Sequence, residues 1–394
     1  MTDATVIGNR KDDHVRHAVD QHHGAVGGND FDSVTFVHHA LAGIDRARVD
    51  LSTTVGESTW ATPLYINGMT GGSARTGAIN RQLAIAAAET GLPIASGSMS
   101  AFLRDASVAG TYRVLRTENP RGFVMANINA NTTPAQAQRA VDLLEADVLQ
   151  IHINAIQEIV MPEGDRDFTH WPRRIGDIVG AVPVPVIVKE VGFGLSPETV
   201  ALLRDLGVTI ADVGGRGGTD FARIENSRRS GDDFSIMQHW GQSTVCCLLG
   251  ATRMPGIDVV ASGGIRSPLD AARALALGAR ATGVAGSFLT VLVDNGVDAL
   301  IDTIKSWLDQ LSLIMTVLGA ETPRALERCD LLLTGEVENY CRAYGIDART
   351  FFRRGRTPSV DDSPPAPSAR STRSAAEHAA PQPGPATRKW WDPT

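Results

Sequence analysis

Polar side chains suited to binding a ligand are concentrated in residues 148–168, which read VLQIHINAIQEIVMPEGDRDF. The stretch begins with the alternating pattern of a strand that carries His152 and Asn154, and it then breaks into a loop with Gln157 and Glu158. Each buried polar group that lacks a partner costs roughly 1–3 kcal/mol. The pattern therefore indicates either a bound ligand and metal or a hydrogen-bonded network inside a barrel.

Charged residues in and near this stretch suggest how an anion could be held. Glu158 is the best candidate for a magnesium ligand, because magnesium is often held by one or two carboxylates together with phosphate oxygens and waters. The pair Arg10-Lys11 could neutralise an anion such as a substrate diphosphate through charge-assisted hydrogen bonds. A dibasic pair of this kind is more often simply solvated. The remaining histidines lack metal spacing and are interpreted as structural or exposed.

A lysine and several glycine-rich segments indicate a second anion site. Lys189 stands inside the apolar run VPVIVKEVG and needs an anion or an electron-rich ring beside it. Segments 262–266 and 283–287 are glycine-rich, and barrels of this kind often bind phosphate after strands seven and eight. Glycines in 68–72 and 214–219 would let a flat ring lie against backbone. These features suggest FMN, although a sugar phosphate would use the same corner and tight turns would also explain the glycines.

Short apolar runs alternate with amphipathic stretches and predict a (β/α)8 TIM barrel. Thr-Pro or Ser-Pro pairs at 133–134, 196–197 and 267–268 mark helix starts, and Gly207 and Gly278 fit the position after a last helical turn. A doubly wound sheet is possible, but no GxGxxG follows the first strand and no GxxxxGK[ST] occurs. The eight runs are 63–68, 93–98, 122–129, 147–154, 185–192, 210–215, 258–264 and 281–286.

The chain divides into three predicted regions. Residues 1–60 are polar and irregular and form an N-terminal leader with the dibasic pair. Residues 61–353 form the barrel, with closing helices at 299–319 and 323–332. Residues 354–394 are rich in Pro, Ser and Ala and form a disordered C-terminal tail.

Composition excludes several classes of protein. The 394 residues carry a net charge of −7, which argues against nucleic acid as the main partner. No apolar run approaches the ~18 residues of a membrane span, and the N-terminus lacks a signal core. The four cysteines make no CxxC pair, so no thiolate zinc site is indicated. A cytoplasmic protein without a membrane partner is expected.

Taken in order, these segments make the sequence resemble the type 2 isopentenyl diphosphate isomerases, a family of FMN-dependent barrels. The resemblance covers about residues 10–335. It rests on seven motifs: RKDDH, FDSVTFVHHAL, GMTGGS, QIHINAIQE followed by MPEGDRDF, VIVKEVGFG, GGRGGTDFARIE and SGGIRSPLDAARALALGA.

The resemblance implies a role for each matching position. The residues that match FMN contacts are Gly68, Met69, Thr70, Ser98, Asn127, Lys189 and Thr219, with Gly263, Gly264, Ile265, Arg266, Ala285 and Gly286 at the phosphate and ribityl end. The matching substrate contacts are Arg10, Lys11, His152, Asn154 and Gln157. Glu158 matches the magnesium ligand, and His152 and Gln157 match positions with a catalytic role.

The resemblance also implies a reaction. Members of this family move a double bond between isopentenyl and dimethylallyl diphosphate without net redox change, using Mg²⁺ and FMN that NADPH has reduced. A ring nitrogen of the reduced flavin is thought to act as the acid–base group. This agrees with the sequence, in which no paired carboxylates or activated nucleophile stand out. Family members are homo-oligomers, either tetramers or octamers.

Three departures from the family pattern concern the substrate side. Residues 97–100 read GSMS where the family usually shows GSQR, and loss of a buried charge-assisted contact could cost roughly 1.5–3 kcal/mol. Arg104 could supply the missing guanidinium from the next turn. Asn129 stands where glycine is usual, and Gly214 stands where serine is usual.

These departures keep alternatives open. Met99 and Ser100 would make a more apolar pocket, so a flavin-dependent cyclase or isomerase of a longer prenyl (terpenoid) diphosphate is the main alternative. An FMN oxidase of 2-hydroxy acids would carry a catalytic His near strand six, where residues 212–215 read DVGG. A degenerate barrel that serves as a binding scaffold is the non-enzyme alternative.

Overall fold

Eight parallel strands close into a barrel in the computed structural model, which describes residues 3–24, 28–229 and 231–354, with side chains from Lys11 onward. In chain order the strands are β1 (Val34–Phe36), β2 (Thr53–Val55), β3 (Ser58–Trp60), β4 (Leu64–Ile66), β5 (Ile94–Ala95), β6 (Val124–Asn129), β7 (Val148–Ile153), β8 (Val186–Glu190), β9 (Ile210–Asp212), β10 (Asp258–Ser262), β11 (Thr282–Val284) and β12 (Leu331–Leu333).

Strands β4 to β11 form the barrel in sequence order. The barrel closes where β11 pairs in parallel with β4, with Thr282 opposite Leu64. Each of the eight predicted apolar runs contains one barrel strand, so the predicted (β/α)8 barrel is confirmed and the doubly wound sheet is excluded.

The α-helices of the described residues lie mainly between the barrel strands. They are α1 (Asp3–His23), α2 (Ala74–Thr90), α3 (Ser100–Arg104), α4 (Gly110–Glu118), α5 (Pro134–Leu144), α6 (Ala155–Val160), α7 (Trp171–Val179), α8 (Pro197–Asp205), α9 (Phe221–Ser227), α10 (Thr244–Ala251), α11 (Pro268–Ala276), α12 (Gly286–Leu318), α13 (Gly335–Ala343) and α14 (Arg349–Phe352). Helix α12 is interrupted at Gly296, where the backbone is not helical.

The predicted helix ends are confirmed. Thr133, Ser196 and Ser267 each cap a helix by accepting a hydrogen bond from a backbone N–H, and a proline follows in the first turn. A cap of this kind stabilises a helix by about 1 kcal/mol. Gly207 and Gly278 follow the last turns of α8 and α11 with φ of 87° and 105°, a conformation that favours glycine.

Two predictions outside the barrel are wrong. The leader is not irregular at its start, because residues 3–23 form α1, in which the buried Val15 and Val19 lie four residues apart on one face. The expected closing helix at 323–332 is instead a 3₁₀ helix, Pro323–Arg328, followed by β12. Strand β12 pairs antiparallel with β1, so a pairing across almost 300 residues overrides the local pattern.

One end of the barrel is closed by apolar packing. Trp60 of β3 packs against Tyr65 and Phe123, with ring centroids 5.7 and 5.3 Å apart respectively. The β2–β3 hairpin also bonds to the starts of β10 and β11, where Gly56 N–H donates to Asp258 and the Thr53 hydroxyl donates to the carbonyl of Arg280. The N-terminal ends of the strands are therefore covered, and a ligand would enter from the C-terminal ends.

The described residues form one compact unit. The boundary at residue 60 stays a prediction, and the tail predicted for 354–394 lies outside the described residues except for Arg354. None of the helices described in this structure is both long and apolar enough to cross a membrane.

Candidate active site

A cavity of about 720 Å³ opens at the C-terminal ends of the barrel strands. Its size lies within the range of small-molecule and cofactor sites. It brings together nine of the residues to which the resemblance assigns a cofactor, substrate or metal role, which are Lys11, Gly68, Met69, Ser98, Asn127, His152, Gln157, Glu158 and Lys189. Thr70 and Asn154, together with Thr219, Gly263, Gly264, Ile265, Arg266, Ala285 and Gly286, are not among the residues that line it.

His152 is held in a neutral state at the cavity wall. Burial, together with the positive charges of Lys11 and Lys189, lowers the pKa of His152 to about 3. Its Nδ1 lies 2.8 Å from Asn127 Oδ1, while Asn127 Nδ2 donates to the side-chain oxygen of Gln150 at 3.0 Å. The amide oxygen of Asn127 can only accept, so Nδ1 carries the proton and Nε2 is the acceptor.

Lys189 has the anion that its sequence context requires. Its Nζ lies 3.6 Å from Oδ2 of Asp212, a fully buried carboxylate at the end of β9, and it donates to the carbonyl of Glu190 at 3.0 Å. The sequence alone marks Asp212 only as the start of the segment in which an oxidase would carry a histidine. The Cα register places Lys189 directly opposite Asp212 on adjacent strands, but this pairing is visible only once the strand order is known.

Gln157 is oriented by a buried carboxylate that the sequence did not reveal. Gln157 Nε2 donates to Glu225 Oε1 at 3.0 Å, and His14 Nε2 lies 2.9 Å from the same oxygen. Burial raises the pKa of Glu225, but bonds from His14 and Gln157 and the charge of Arg228 outweigh it and lower that pKa to about 2. Because an ionised carboxylate only accepts, the amide nitrogen of Gln157 must face Glu225, which leaves the amide oxygen for a ligand.

Asn154 holds the backbone of Gln157 in place. Its Oδ1 accepts from the backbone N–H of Gln157 at 2.8 Å and so caps α6, and its Nδ2 donates to the carbonyl of Val191 at 2.8 Å. Asn154 is buried, and both ends of its amide are engaged within the protein. The structure therefore gives Asn154 the task of joining the ends of β7 and β8.

Glu158 lies at the cavity beside a loop with two more acids. Its Oε2 accepts from the backbone N–H of Asp165 at 2.9 Å, and Glu163 and Asp165 also line the cavity. Among the residues that the structure describes, no group of three or more His, Cys, Asp or Glu side chains is arranged to hold a metal. A magnesium ion at Glu158 would therefore complete its shell with substrate oxygens and water.

The glycine-rich ends of β9 and β10 pack against each other. A Cβ atom at Gly263 would lie 2.1 Å from the carbonyl oxygen of Gly215, and one at Gly264 would lie 3.0 Å from the carbonyl of Gly217. A Cβ at Gly286 would lie 3.8 Å from Thr219 Oγ1, so the start of α12 adjoins the same corner. Tight backbone packing thus explains much of the glycine content, and exposed backbone collects at this corner.

Arg266 at this corner is engaged by the protein itself. Its guanidinium donates to Asp32 at 2.6 and 3.0 Å and to Asp270 at 2.8 and 3.2 Å. Hydrogen bonds to both carboxylates raise the pKa of Arg266 further above its usual value. A phosphate here would therefore rely on backbone N–H groups and on the N-terminus of α12.

The departures from the family pattern have structural explanations. Met99 is 0% exposed and does not line the cavity, so the expectation that it makes the pocket more apolar is wrong. Ser98 and Ser100 line the cavity with their hydroxyls 2.9 Å apart. Gly214 has a φ of 46°, and a Cβ there would lie 1.8 Å from the carbonyl of Glu190, which excludes serine in this geometry. Asn129 lines the cavity and accepts from the Thr132 hydroxyl.

Basic residues predicted at the substrate side are Arg10, Lys11 and Arg104, and the structure shows the side chains of two of them. Lys11 lines the cavity and is mostly buried, whereas the side chain of Arg10 lies outside the described part of the structure. Arg104 also lines the cavity, is exposed, and has no ion-pair partner within the described ranges. Arg104 is therefore a cation available at the cavity mouth.

The sequence is similar to a known family of FMN-dependent proteins and to several proteins that share one name. A sequence model of the FMN-dependent dehydrogenases matches residues 103–332. An isopentenyl-diphosphate delta-isomerase of Nocardia farcinica is 66% identical over 346 residues, which are 88% of this chain and 96% of that protein. Proteins of the same name from Streptomyces sp. (60% identity, 88% and 95% coverage) and Staphylococcus epidermidis (44%, 86% and 96%) are also similar.

Solved structures share the fold. Mandelate oxidase with 3,3-difluoro-2-hydroxy-3-phenylpropionic acid superposes with a TM-score of 0.58, covering 84% of this chain and 99% of that chain. The sequence identity is 15%, so this likeness shows the barrel fold alone.

Proposed function

Because the chain belongs to the family of isopentenyl-diphosphate delta-isomerases and is therefore an isomerase, we propose that it interconverts isopentenyl and dimethylallyl diphosphate with FMN in the barrel cavity. The observation that carries this proposal is the single cavity in which Lys189, His152, Gln157 and Glu158 meet. Cationic, acid–base and metal-binding groups from separate strands share one space at the open end of the barrel.

The residues around the cavity fit a flavin. Lys189 lies at the wall with only 5% of its surface exposed, and such a lysine stabilises negative charge on a neighbouring ring. Thr70 Oγ1 is buried without a hydrogen-bond partner in the described structure, beside the cavity residues Gly68 and Met69. We assign Ser98 and Asn127 to the same ring edge, and Thr219, Gly263, Gly264, Ile265, Arg266, Ala285 and Gly286 to the phosphate corner. When bound and reduced with NADPH, FMN supplies the acid–base group for the proton transfer.

The protein side chains bind and orient the substrate. Lys11, with Arg10, neutralises the diphosphate, and Glu158 would hold a Mg²⁺ ion that supplies further positive charge to the diphosphate. Gln157 presents its amide oxygen to the reacting carbons, because Glu225 fixes the amide nitrogen. His152 faces the substrate as a neutral imidazole, because burial and the positive charges of Lys11 and Lys189 lower its pKa to about 3.

The longer-chain alternative and the oligomer stay predictions. Met99, one of the two residues that motivated a longer prenyl substrate, is buried away from the cavity, which leaves Ser100 as the relevant change. A homo-oligomer is expected from the family resemblance, and the cytoplasmic location expected from the sequence also stays a prediction. The oxidase alternative is not favoured, because residues 212–215 supply no histidine and Asp212 is committed to Lys189.

Anaerobic turnover of the purified protein tests the proposed function. The protein is incubated with isopentenyl diphosphate, FMN, NADPH and Mg²⁺, and the product is identified after phosphatase treatment. Dimethylallyl diphosphate is expected with all components, and none is expected when reductant is left out. Absence of product under reduced conditions, or turnover only of longer prenyl diphosphates offered in parallel, would contradict the proposal.

A further inference from the structure

A fully buried carboxylate inside the barrel has no part in the chemistry described so far. Asp212 ends β9 and is 0% exposed. Its Oδ2 accepts from the Tyr65 hydroxyl at 2.8 Å, and the Ser262 hydroxyl lies 2.8 and 2.9 Å from its two oxygens. The backbone N–H of Gly214 donates to Oδ1 at 3.2 Å. A buried carboxylate needs such donors, because an uncompensated one is strongly disfavoured.

The two side-chain donors come from strands on the β10 side of Asp212. Ser262 lies on the neighbouring strand β10, whereas Tyr65 reaches Asp212 from β4, past β10 and β11. The phenol ring crosses β11 at Gly283, where a Cβ atom would lie 2.4 Å from the ring. Gly283 is therefore glycine to let Tyr65 pass. Burial and the charge of Asp212 raise the pKa of Tyr65, so its hydroxyl stays protonated and donates.

The same carboxylate faces Lys189 on the other side. Lys189 Nζ is 3.6 Å from Asp212 Oδ2 and lines the cavity, whereas Asp212 does not. Lys189 therefore lies between the cavity and the carboxylate. Charges this close interact strongly when both are shielded from water.

We propose that Asp212 is a positioning residue that holds Lys189 at the cavity wall and moderates its charge, and thereby sets the redox balance of FMN. This rests on the FMN site of the proposed function. The Asp212→Asn variant keeps the shape but removes the negative charge, so Lys189 acts on the flavin unopposed. The anionic reduced flavin is then favoured over the oxidised form.

The test measures the midpoint potential of FMN bound to the full-length protein by dye-coupled reduction. In Asp212→Asn, the ratio of the affinity for reduced FMN to the affinity for oxidised FMN is expected to be about tenfold higher than in the wild type. This corresponds to a positive shift of the midpoint potential of about 30 mV for a two-electron couple. Tyr65→Phe removes a donor that disperses the carboxylate charge, so a smaller shift of opposite sign is expected. Structural damage alone would not give shifts of opposite sign.

Asp258→Asn is the matched control, because Asp258 forms an ion pair with Arg280 at the other end of the barrel. It should leave the potential unchanged. In a Lys189→Met background, Asp212→Asn should produce no further shift. An unchanged potential in Asp212→Asn, or shifts of the same sign in Asp212→Asn and Tyr65→Phe, would overturn the inference. If Asp212→Asn does not fold, Tyr65→Phe and Ser262→Ala, which also removes a donor, decide by the sign of their shifts.

This readout separates the inference from the proposed function. Wild-type protein that binds FMN but makes no dimethylallyl diphosphate would contradict the function, while the potentials would still test Asp212. Wild-type protein that isomerises normally, with a potential insensitive to Asp212→Asn, would overturn only the inference.

Discussion

Replacing Glu225 by glutamine tests whether this carboxylate orients the proposed catalytic side chain of Gln157. Glu225 is 0% exposed and accepts from Gln157, His14 and Arg228. Glutamine has nearly the same shape, but its amide removes the negative charge and no longer dictates which end of Gln157 faces the cavity. The variant should therefore lose catalytic rate while the flavin site is unaltered.

The magnitude follows from the bonds that are lost. A hydrogen bond to a charged group is worth about 1.5–3 kcal/mol, and 1.4 kcal/mol corresponds to a tenfold change, so kcat should fall roughly 10- to 100-fold. Breaking a buried ion pair costs about 3–5 kcal/mol of stability. Arg228 keeps its contact with Glu163 at 3.2 Å, so the loss should lie near the lower end of that range.

Acid stability gives an independent readout of the same residue. The pKa of Glu225 is about 2 in the folded protein, below its ordinary value of 4.5. The stabilisation is therefore fully present above pH 4.5 and is lost as the pH falls towards 2. Thermal unfolding between those pH values should show a steeper loss for the wild type than for Glu225→Gln.

The assay compares kcat, FMN affinity and unfolding for Glu225→Gln and a control, Glu321→Gln. Glu321 pairs with Arg48 outside the cavity and is 46% exposed, so its loss should cost at most about 1 kcal/mol. A Glu225→Gln variant with wild-type kcat would refute the orienting role. So would an equal loss in both variants, or a loss explained by weaker FMN binding.

Three further predictions concern Arg104, Glu190 and Met99. Arg104→Ala should weaken binding of inorganic diphosphate to the FMN-loaded protein by about tenfold in calorimetry. Arg113→Ala, a substitution outside the cavity, should leave this affinity unchanged. Equal diphosphate affinities of the two variants would exclude Arg104 from the diphosphate site. Burial raises the pKa of Glu190 to about 8, so the folded protein loses stability as the pH rises from 4.5 to 8. Glu190→Gln should therefore raise the melting temperature at pH 8 but hardly at pH 4. A gain that does not depend on pH would contradict this prediction. Met99→Gln should destabilise the protein by about 1–3 kcal/mol in denaturant unfolding, because the amide would be buried in the core, and a neutral result would show that this side chain can turn into the cavity.

The barrel could be predicted because its signals are local. Each strand is a short apolar run, and hydroxyl caps and glycines mark several of the intervening helices. Polar residues at the strand ends pointed to the cavity, since those ends meet on one side of any such barrel. His152, Gln157, Glu158 and Lys189 were found in this way, and the cavity brings them together.

The partners of these residues could not be predicted, because their contacts are remote in the sequence. His14 meets Glu225 across 211 positions, and Tyr65 meets Asp212 across 147 positions. A single Asp or Glu in an ordinary strand or helix carries no local sign of such a contact. The contact of Gly283 could not be predicted either, because its neighbour is the ring of Tyr65 from another strand.

The side chain of Met99 illustrates a different limit. Its position between two serines suggests a change in the cavity, but a residue just before a short helix can point either way. The structure buries it completely and leaves the two serines at the cavity wall. The direction of a side chain after a strand ends depends on the turn geometry. That geometry cannot be predicted from residues 97–100.

Product formation in deuterated water tests the central claim most directly. Anaerobic protein with reduced FMN, Mg²⁺ and isopentenyl diphosphate should yield dimethylallyl diphosphate that carries solvent deuterium at the newly protonated carbon. A Gln157→Leu variant should keep its FMN and make this product at least tenfold more slowly. Unlabelled or absent product from the wild type, or an unchanged rate in the variant, would contradict isomerisation at this cavity.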